Sequence, residues 1–327
     1  MDRLEEIDPI WETTSHLMYE CNQRGHTVYF LEPHDLYIRE NIVRARMHDV
    51  SITPDLSMRK YWRTAIRSVK KADRIFESIP ELDALFLRKN PPLQYQTMEF
   101  LSPFSDQVFM INSTTGQILG NGKLYALNFP DIIPETHVSR DPVRLKRLID
   151  GFGGDMVVKP LQRYGGEGII KVSTKDQENL LSLINYYVQA AKSYNYREPI
   201  MVQEFLSEVR SEGDVRILLL NGEIIGAMQR KPAEGEFRAN VHAGGKVFPH
   251  EITAADRKIC RTIKGRLQKD GLYFVGVDVI GDKLVEINCV SPGGIPRINQ
   301  LNGVKLESTV IDFVETMVKS MKGSKQK

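Results

Sequence analysis

The stretch GVDVIGDKLVEIN, residues 276–288, decides how the second half of the chain is interpreted. Apolar residues on both sides of a Gly-Asp pair are typical of a β-hairpin. Glu286 and Asn288 lie two residues apart on the second strand and therefore share a face. A three-residue turn, 281–283, places Asp278 opposite Glu286 on that face, whereas a two-residue turn places it on the other face. We therefore predict the longer turn if the three side chains act together.

Asp278, Glu286 and Asn288 offer only oxygen atoms as ligands. Two carboxylates and an amide, without histidine or cysteine, suit a hard cation such as Mg²⁺, which bridges nucleotide phosphates in many enzymes. A solvent-facing edge of the hairpin explains the same residues equally well. The hairpin alone therefore leaves both interpretations open.

A glycine-rich loop, KPLQRYGGEG at residues 159–168, follows a short apolar strand. Lys159 stands at the strand end, before Gly165, Gly166 and Gly168. Glycines allow the main chain to approach a phosphate closely, and the lysine adds a positive charge. The loop matches neither the Walker A pattern nor the dinucleotide-binding fingerprint. A phosphate-binding loop and an ordinary glycine hairpin both fit this stretch.

Three arginines, Arg216, Arg230 and Arg238, fall in the β-rich region between the loop and the hairpin, and Asn240 follows the last of them. A guanidinium can bind a phosphate or a carboxylate through two parallel hydrogen bonds. A solvated surface position explains each arginine as well. The histidines form no pair at metal-binding spacing, so we assign them neither a metal nor a catalytic role.

Composition excludes several classes of protein. The chain has 327 residues, with 44 Lys and Arg against 42 Asp and Glu, a net charge of +2. Because the two signs are mixed along the chain, we expect no nucleic-acid partner. No apolar run is long enough to cross a membrane, and the polar start, residues 1–6, lacks the core of an export signal. We expect a cytoplasmic protein without a membrane partner, whose three widely separated cysteines are small buried apolar residues.

The order of predicted elements favours an α/β protein in three segments. A helix at 14–24 and strands at 26–31, 82–87 and 107–111 predict a parallel sheet in an N-terminal domain, residues 1–120. Residues 121–200 and 201–322 form the second and third segments, and 323–327 form a frayed tail. Asn221-Gly222 predicts a tight hairpin between strands 215–220 and 223–228. The remaining predicted strands are 156–159, 168–172, 200–206, 273–280 and 284–288, and the remaining helices are 175–194, 253–268 and 306–321.

Together these groups meet the needs of one kind of reaction. Joining a carboxylate to an amine with ATP requires a bound nucleotide, a cation between its phosphates, and transfer of the terminal phosphoryl group to the carboxylate. No protein nucleophile is needed, because positioning and positive charge supply the catalysis. The sequence presents neither a Ser/His/Asp nor a Cys/His constellation, in agreement with this chemistry.

The motifs, taken in order, cover nearly the whole chain. They are LRKNPP (87–92), GKL (122–124), PET (134–136), VVKPL (157–161), GG (165–166), GDVR (213–216), FRAN (237–240), AGG (243–245), FVGVD (274–278), EIN (286–288) and SP (291–292). In this combination the chain resembles the ATP-grasp superfamily and, within it, the bacterial-type glutathione synthetases.

The resemblance implies an ATP-grasp fold with an N-terminal parallel α/β domain, and a homo-oligomer. It implies ligation of γ-glutamylcysteine to glycine with ATP and Mg²⁺ or Mn²⁺. By the same resemblance, the nucleotide phosphates are bound by Lys123 and Lys159 and covered by Gln162, Tyr164, Gly165, Gly166 and Gly168. Adenine is held by Gln203, Glu204, Phe205 and Leu206. The catalytic residues are Arg216 and Arg230, and the cation ligands are Asp278, Glu286 and Asn288. The peptide and amine substrates are bound by Arg88, Arg238, Asn240, Ser291, Pro292, Gly293 and Gly294.

The chain departs from the family pattern at three places. Residues 4–7, before Asp8-Pro9, are more polar than the apolar strand with which the family usually opens, so either the true start lies upstream or that strand is degraded. Asn90 replaces an aspartate before Pro-Pro. Gly293 and Pro296 replace a threonine and an arginine. These changes concern substrate recognition, so another ATP-grasp ligase with a different acceptor is the alternative, and a nucleotide-binding protein without catalysis is a second one.

Overall fold

A computed structural model describes residues 1–71, 75–161, 163–173, 177–189, 199–241 and 244–325. The N-terminal part contains two sheets and the helices that cover them. Its elements are α1 (Thr13–Gln23), β1 (Tyr29–Phe30), β2 (Leu36–Arg39), β3 (Ile42–Asp49), α2 (Met58–Lys71), β4 (Ile75–Ser78), β5 (Ala84–Phe86), α3 (Tyr95–Leu101), β6 (Phe109–Ile111) and α4 (Thr114–Gly120).

The predicted parallel pairing is present in this part between β5 and β6. The predicted strand 26–31 is shortened to β1, which pairs antiparallel with β3. β3 also pairs antiparallel with β2 and β4, a sheet that the sequence did not indicate. The β2–β3 turn is made by Glu40 and Asn41, with φ of 54° and 64°. Both angles belong to the hairpin turn that usually selects Asn-Gly or Asp-Gly, so Glu-Asn gave a weak signal.

The first residues do not form a strand. Leu4–Glu6 is a turn of 3₁₀ helix, and Leu4 is buried against α2, where the indole N–H of Trp62 donates to the Leu4 carbonyl at 3.1 Å. A largely apolar cavity of about 450 Å³ lies between β1 and β5 and is lined by every residue of 26–31 and 81–89. Among the described strands, β1 pairs with β3 and β5 pairs with β6, so neither strand pairs across this cavity.

The central part is a four-stranded antiparallel sheet covered by two helices. Its elements are β7 (Thr136–Ser139), α5 (Pro142–Phe152), β8 (Met156–Pro160), β9 (Ile170–Val172), α6 (Gln177–Gln189) and β10 (Ile200–Glu204), with strand order β7-β10-β8-β9. Leu145 and Ile149 of α5 pack on Met156 and Val158 of β8 in its core. The predicted strands are confirmed here, although β9 begins two residues later than expected, and the helix is confirmed over Gln177–Gln189.

The C-terminal part is built on a five-stranded antiparallel sheet. Its elements are β11 (Asp214–Leu220), β12 (Glu223–Lys231), β13 (Lys246–Pro249), α7 (Ala254–Lys269), β14 (Phe274–Ile280), β15 (Lys283–Asn288), α8 (Ile295–Asn302) and α9 (Leu306–Lys325), with strand order β13-β12-β11-β14-β15. The Asn221-Gly222 hairpin is confirmed. Thr253 and Asp256 form a capping box that starts α7. α9 continues through Lys325, into the predicted frayed tail.

The β14–β15 hairpin corrects the predicted turn. Ile280 pairs with Lys283, so the turn has two residues, Gly281 and Asp282, rather than three. Asp278 nevertheless pairs with Glu286, because the register shifts after Val279 and leaves one extra residue in β15. A β-bulge of this kind restores the side-chain face that a tight turn alone would reverse. The expected Asp278–Glu286 pairing is therefore confirmed, and the three-residue turn is wrong.

No helix in the described part of the chain is long and apolar enough to span a membrane.

Candidate active site

Lys159 is the residue before the last in β8, and its side chain is buried, 7% exposed. Its Nζ donates to Oε1 of Gln203 on β10 at 2.6 Å, and Gln203 donates in turn to Oγ1 of Thr136 at 2.8 Å. Burial lowers the pKa of Lys159 from 10.5 to about 8, and the negative charges of Glu286 and Asp278 offset only part of this effect. A buried ammonium whose partner is an amide gains free energy when an anion binds beside it.

Lys123 lies in the same cleft. It follows Gly122 and begins a short 3₁₀ helix, and its Nζ donates to the carbonyl of Arg163 in the glycine-rich loop at 2.5 Å. Burial lowers its pKa, and the charge of Glu286 opposes the shift as it does for Lys159. The Lys123 ammonium also lies 6.0 Å from the centre of the Tyr164 ring. The charge of one carboxylate, Glu286, thus influences the pKa of both predicted phosphate-binding lysines.

The glycine-rich loop folds against the segment that contains Arg238 and Asn240. Arg238 donates from Nη1 to the Gly166 carbonyl at 3.1 Å, and Asn240 donates from Nδ2 to the Gly165 carbonyl at 2.7 Å. The loop glycines have φ in the left-handed region, 63° at Gly165, 78° at Gly166 and 71° at Gly168. Only glycine adopts these angles without strain. Arg238 and Asn240, predicted to bind substrate, therefore hold the loop in this structure.

The predicted adenine segment, 203–206, joins β10 to the next 3₁₀ helix. The main-chain N–H groups of Glu204 and Phe205 donate to main-chain carbonyls outside the strand at 2.9 and 3.0 Å. The Phe205 ring lies 5.0 Å from Nζ of Lys171 and 5.4 Å from Cζ of Arg210. The adenine role of this segment, Leu206 included, stays a prediction, and Gln162 lies outside the described residues.

Two arginines and two aspartates form a buried network on β11, β12 and β14. Arg216 donates to both carboxylate oxygens of Asp278, at 2.5 and 2.9 Å. Arg230 donates to both oxygens of Asp214, at 2.6 and 2.7 Å, and its Nη2 lies 3.0 Å from Asp278. Burial alone raises the pKa of Asp278, but the two guanidinium groups outweigh it and lower that pKa below its usual range. Asp278 is therefore a carboxylate anion in the folded protein.

The predicted cation ligands have a donor set that fits a hard metal ion. Glu286 pairs with Asp278 across β14 and β15, and Asn288 donates from Nδ2 to Asp278 at 3.3 Å. Within the described residues, no group of three or more His, Cys, Asp or Glu side chains is placed to hold a metal. The set here combines two carboxylates with an amide oxygen, donors that suit Mg²⁺ or Mn²⁺. The residues fit such an ion, and their role as its ligands stays a prediction.

Two family profiles together match nearly the whole chain. The profile described as "Prokaryotic glutathione synthetase, N-terminal domain" matches residues 1–116, and "Prokaryotic glutathione synthetase, ATP-grasp domain" matches residues 122–303. The chain belongs to the prokaryotic glutathione synthetase family. It is therefore an ATP-grasp ligase, and the predicted α/β fold class is confirmed.

Individual members of the glutathione synthetase family align along nearly their full lengths. The glutathione synthetase of Synechocystis sp. is 37% identical over 321 residues, which cover 96% of this chain and 97% of that protein. The glutathione synthetase of Brucella melitensis is 32% identical over 318 residues, 96% of each chain. This agreement covers the N-terminal part as well as the nucleotide-binding part.

Solved structures share the ATP-grasp fold at low identity. A RiPP-associated ATP-grasp ligase of Chryseobacterium gregarium, in complex with ADP and a leader and core peptide, has a TM-score of 0.62 at 14% identity and covers 95% of this chain and 94% of its own. D-alanine–D-alanine ligase from Bacillus anthracis, complexed with ATP, has a TM-score of 0.50 at 15% identity over 69% of this chain and 75% of its own. These similarities support the fold alone.

In this member of the glutathione synthetase family, Arg88 connects the N-terminal part to the C-terminal sheet. It is 5% exposed; Nε donates to Oγ1 of Thr14 at 3.1 Å and Nη2 to the Pro292 carbonyl at 3.0 Å. Its Nη1 is buried without a hydrogen-bond acceptor among the described residues. Burial lowers the pKa of Arg88 to about 10. An anion at this position would satisfy the free N–H groups, as expected of a substrate-binding arginine.

The turn 291–294 gathers several predicted site residues of the glutathione synthetase family. Besides the Pro292 carbonyl, which contacts Arg88, the Gly293 carbonyl accepts a hydrogen bond from Nη1 of Arg216 at 3.3 Å. The main-chain N–H of Gly294 donates to Oγ1 of Thr13 at 3.2 Å. The turn therefore links both parts of the protein to the arginine network, mainly through main-chain atoms, and its first residue, Ser291, is partly buried.

Sequence reasoning missed two members of this site. Asp214 was part of the quoted GDVR motif but received no role, although its spacing of two from Arg216 on a strand places both on one face. Thr136, the partner of Gln203, ends the PET motif and lies on β7, but the motif gave it no role. The first carried a usable signal in its spacing. The second depended on strand order, which the sequence does not report.

Proposed function

We propose that this protein ligates γ-glutamylcysteine to glycine, with cleavage of ATP to ADP and phosphate. The observation that carries the proposal is the buried ammonium of Lys159, whose hydrogen-bond partner is an amide, in a chain of the prokaryotic glutathione synthetase family. The charges of Lys123, Glu286 and Asp278 all influence the pKa of Lys159, and Asp278 belongs to the arginine network. Such a cleft offers positive charge to a polyphosphate without a protein nucleophile.

The first step forms an acyl phosphate. A carboxylate oxygen of the cysteine residue in γ-glutamylcysteine attacks the terminal phosphorus of ATP, the bond from that phosphorus to the bridging oxygen breaks, and ADP leaves. Lys159 and Lys123 bind phosphate oxygens and stabilise the charge that develops on the transferring group. Asp278, Glu286 and Asn288 would hold a Mg²⁺ or Mn²⁺ ion, which would neutralise phosphate charge when bound.

The second step forms the amide. The amine nitrogen of glycine attacks the acyl carbon, the bond from that carbon to the phosphate oxygen breaks, and phosphate leaves as the nitrogen loses its proton. In this proposal Arg216 and Arg230 hold the phosphate oxygens; the convergence of both guanidinium groups on the Asp278 carboxylate supports this role. A charge-assisted pair with a phosphate has the same bidentate geometry.

The loop 163–168 and the segment 236–240 protect the acyl phosphate from water. Asn240 and Arg238 donate hydrogen bonds to the loop carbonyls of Gly165 and Gly166, which supports this role. The unpaired Nη1 of Arg88 and the main-chain groups of the turn 291–294 receive the substrate carboxylates. In this proposal the segments 1–120, 121–200 and 201–322 contribute the substrate end, the cover and the catalytic sheet, respectively.

The decisive experiment measures ADP release with ATP, Mg²⁺, γ-glutamylcysteine and glycine, and omits each component in turn. We expect ADP only with the complete mixture, together with one glutathione for each ADP. Lys159→Met should abolish the release, whereas Lys146→Met, which changes a partly exposed lysine on α5, should not. ADP release with a different acid or amine, and none with this pair, would show that the enzyme is another ATP-grasp ligase.

The acyl-phosphate route has its own test. When the reacting carboxylate of γ-glutamylcysteine carries ¹⁸O, one labelled oxygen should appear in each phosphate released. Unlabelled phosphate, measured by mass spectrometry in a reaction that makes glutathione, would rule out this route.

A further inference from the structure

The buried ion-pair network contains one residue to which the reaction gives no task, Asp214. Asp214 and Arg216 lie two residues apart on β11 and share a face of the sheet. Across the strand pairs, Asp214 is opposite Arg230, and Arg216 is opposite Asp278. The four side chains therefore alternate in charge on one face, with two positive and two negative members.

The two aspartates are not equivalent in this arrangement. Asp278 accepts hydrogen bonds from Arg216 and also lies 3.0 Å from Arg230, so two guanidinium groups share it. Asp214 accepts both of its charge-assisted hydrogen bonds from Arg230, at 2.6 and 2.7 Å. Arg230 is 4% exposed, so water cannot replace a lost carboxylate. The orientation of Arg230 is thus set from one side by Asp214 and from the other by Asp278.

We propose that Asp214 is a positioning residue that holds Arg230 and thereby leaves Asp278 able to bind a divalent cation. A cation on Asp278 competes with the guanidinium groups for the same oxygens. With Asp214 present, Arg230 keeps two hydrogen bonds when Asp278 turns to the cation. Without Asp214, Arg230 depends on Asp278, and separating them leaves a buried charge unpaired. This inference rests on the proposed function, in which Asp278 is a cation ligand.

A purely structural role for Asp214 makes a different prediction. The strands approach closely here, since a Cβ on Gly213 would lie 1.9 Å from the carbonyl oxygen of Arg230. If the Asp214–Arg230 pair only holds β11 and β12 together, removing it lowers the free energy of unfolding and does not change the affinity for the cation. A pair that sets the availability of Asp278 changes cation affinity in the folded protein. Affinity for the ion is therefore the measurement that separates the two roles.

The experiment follows free Mn²⁺ by electron paramagnetic resonance during titration with folded protein at saturating ADP. Asp214→Asn should weaken Mn²⁺ binding at least tenfold, the usual effect of removing a group that orients a metal ligand. The matched control is Asp270→Asn, because the Asp270 side chain is 8% exposed and, like Asp214, pairs with an arginine, Arg266, at 2.6 Å. It also accepts a hydrogen bond at 2.8 Å from Tyr125, a residue outside the ion-pair network. The Asp270→Asn variant should bind Mn²⁺ as the parent protein does.

A double variant, Asp214→Asn with Arg230→Met, makes the test independent of the loss of stability. It removes the Arg230 guanidinium, which would otherwise turn from the missing Asp214 carboxylate to Asp278, and it leaves Arg216 as in the parent protein. Mn²⁺ affinity should therefore return to within about threefold of the parent value. A double variant that binds Mn²⁺ as weakly as Asp214→Asn would overturn the inference. If Asp214→Asn does not fold, the double variant is tested by itself. Weak Mn²⁺ binding by the double variant then contradicts the proposed competition between Arg230 and the cation for Asp278.

Failure of the inference and failure of the proposed function give different results. Glu286→Gln should weaken Mn²⁺ binding whether or not Asp214 has a positioning role. If Glu286→Gln weakens binding and Asp214→Asn does not, Asp214 is structural and the proposed cation site stands. If Glu286→Gln leaves binding unchanged, the proposed cation site is wrong, and the inference about Asp214 is wrong with it.

Discussion

Lys159 gives the most specific prediction, because its burial links stability, pH and nucleotide binding. The ammonium is buried beside an amide, and its pKa falls from 10.5 to about 8. An unfolded chain therefore holds this proton to higher pH than the folded protein does. Raising the pH between these two values relieves the folded protein of a buried charge. The contribution of Lys159 to the free energy of unfolding, measured without nucleotide, should therefore increase as the pH rises from about 8 to 10.5.

The size of this contribution follows from the two pKa values. The gap between 10.5 and about 8 corresponds to about 3 kcal/mol in the free energy of unfolding. Between pH 7.5 and pH 9.5, about 2 kcal/mol of this should appear, because the folded protein loses most of the proton there while the unfolded chain keeps it. Below pH 7.5 both states hold the proton, so the contribution is constant.

The assay compares urea unfolding of the parent protein and Lys159→Met at several pH values from 7.5 to 9.5. The other titrating groups affect both proteins alike, so the difference between the two unfolding free energies isolates Lys159. The parent protein should gain about 2 kcal/mol relative to Lys159→Met over this range. Lys146→Met changes a partly exposed lysine paired with Asp150 and keeps Lys159. The difference between its unfolding free energy and that of the parent protein should not change with pH.

Saturating ADP should flatten the trend in the parent protein, since a phosphate beside the ammonium raises its pKa again. Parallel pH profiles for the parent protein and Lys159→Met without nucleotide would refute the reasoning, because they would mean that burial does not shift this group. If the unfolding free energy rises with pH by the same amount when ADP is bound, the phosphates of ADP do not lie beside Lys159.

Three further predictions concern the loop, the substrate end and the cation. Gly166→Ala should raise the KM for ATP several-fold in steady-state kinetics. Alanine at φ 78° costs about 1 kcal/mol, and its Cβ would lie 3.1 Å from Asn240. An unchanged KM would contradict this prediction. Arg88→Met should raise the KM for γ-glutamylcysteine about tenfold or more and leave the KM for ATP unchanged. Loss of one charge-assisted contact with the substrate costs about 1.4 kcal/mol of binding free energy. Equal increases in both KM values would argue against a role of Arg88 in binding the peptide. Glu286→Gln should raise the Mg²⁺ concentration that gives the half-maximal rate at least tenfold. The same half-maximal concentration for the variant and the parent protein would count against the proposed cation site.

The β14–β15 hairpin shows how far sequence reasoning reached. The spacing of Glu286 and Asn288 was enough to place both on one face, and the pairing of Glu286 with Asp278 is confirmed. The predicted turn length was wrong, because the chain makes a two-residue turn and recovers the register with one extra residue in β15. Strand periodicity is readable from sequence, whereas a bulge changes the residue count without a strong residue signature.

The N-terminal part was less predictable for two physical reasons. Its strands are short, and pairs such as β1 with β3 join residues that alternation alone does not connect. The turn at Glu40 and Asn41 has left-handed angles without the glycine that usually reveals them. The polar residues Glu5 and Glu6 were correctly seen as poor strand formers, and the chain there is 3₁₀ helix. The consequence, a cavity between β1 and β5, is a tertiary fact that propensity does not report.

The charged residues of the cleft show a similar division. Lysines and arginines were found from motifs, because each sits beside a glycine or within a recognisable strand. Their hydrogen-bond partners were not identified as such: Gln203 was predicted to hold adenine, and Asp214 lies in the GDVR motif without a predicted role. The pairing of Gln203 with Lys159 and of Asp214 with Arg230 depends on which strands are neighbours. Functional side chains were thus more predictable than the groups that orient them.

The departures at Gly293 and Pro296 acquire a structural meaning from the turn 291–294. Gly293 contacts Arg216 through its carbonyl oxygen, which any residue at that position carries. Pro292 likewise contacts Arg88 through its carbonyl. Pro296 is buried in the first turn of α8, where proline is accepted because its missing N–H would have no helical partner. The links from this turn to both arginines therefore survive the substitutions. What changes is the set of side chains offered to the substrate, so any difference in specificity should appear in the KM for the peptide or the amine and leave ATP binding intact.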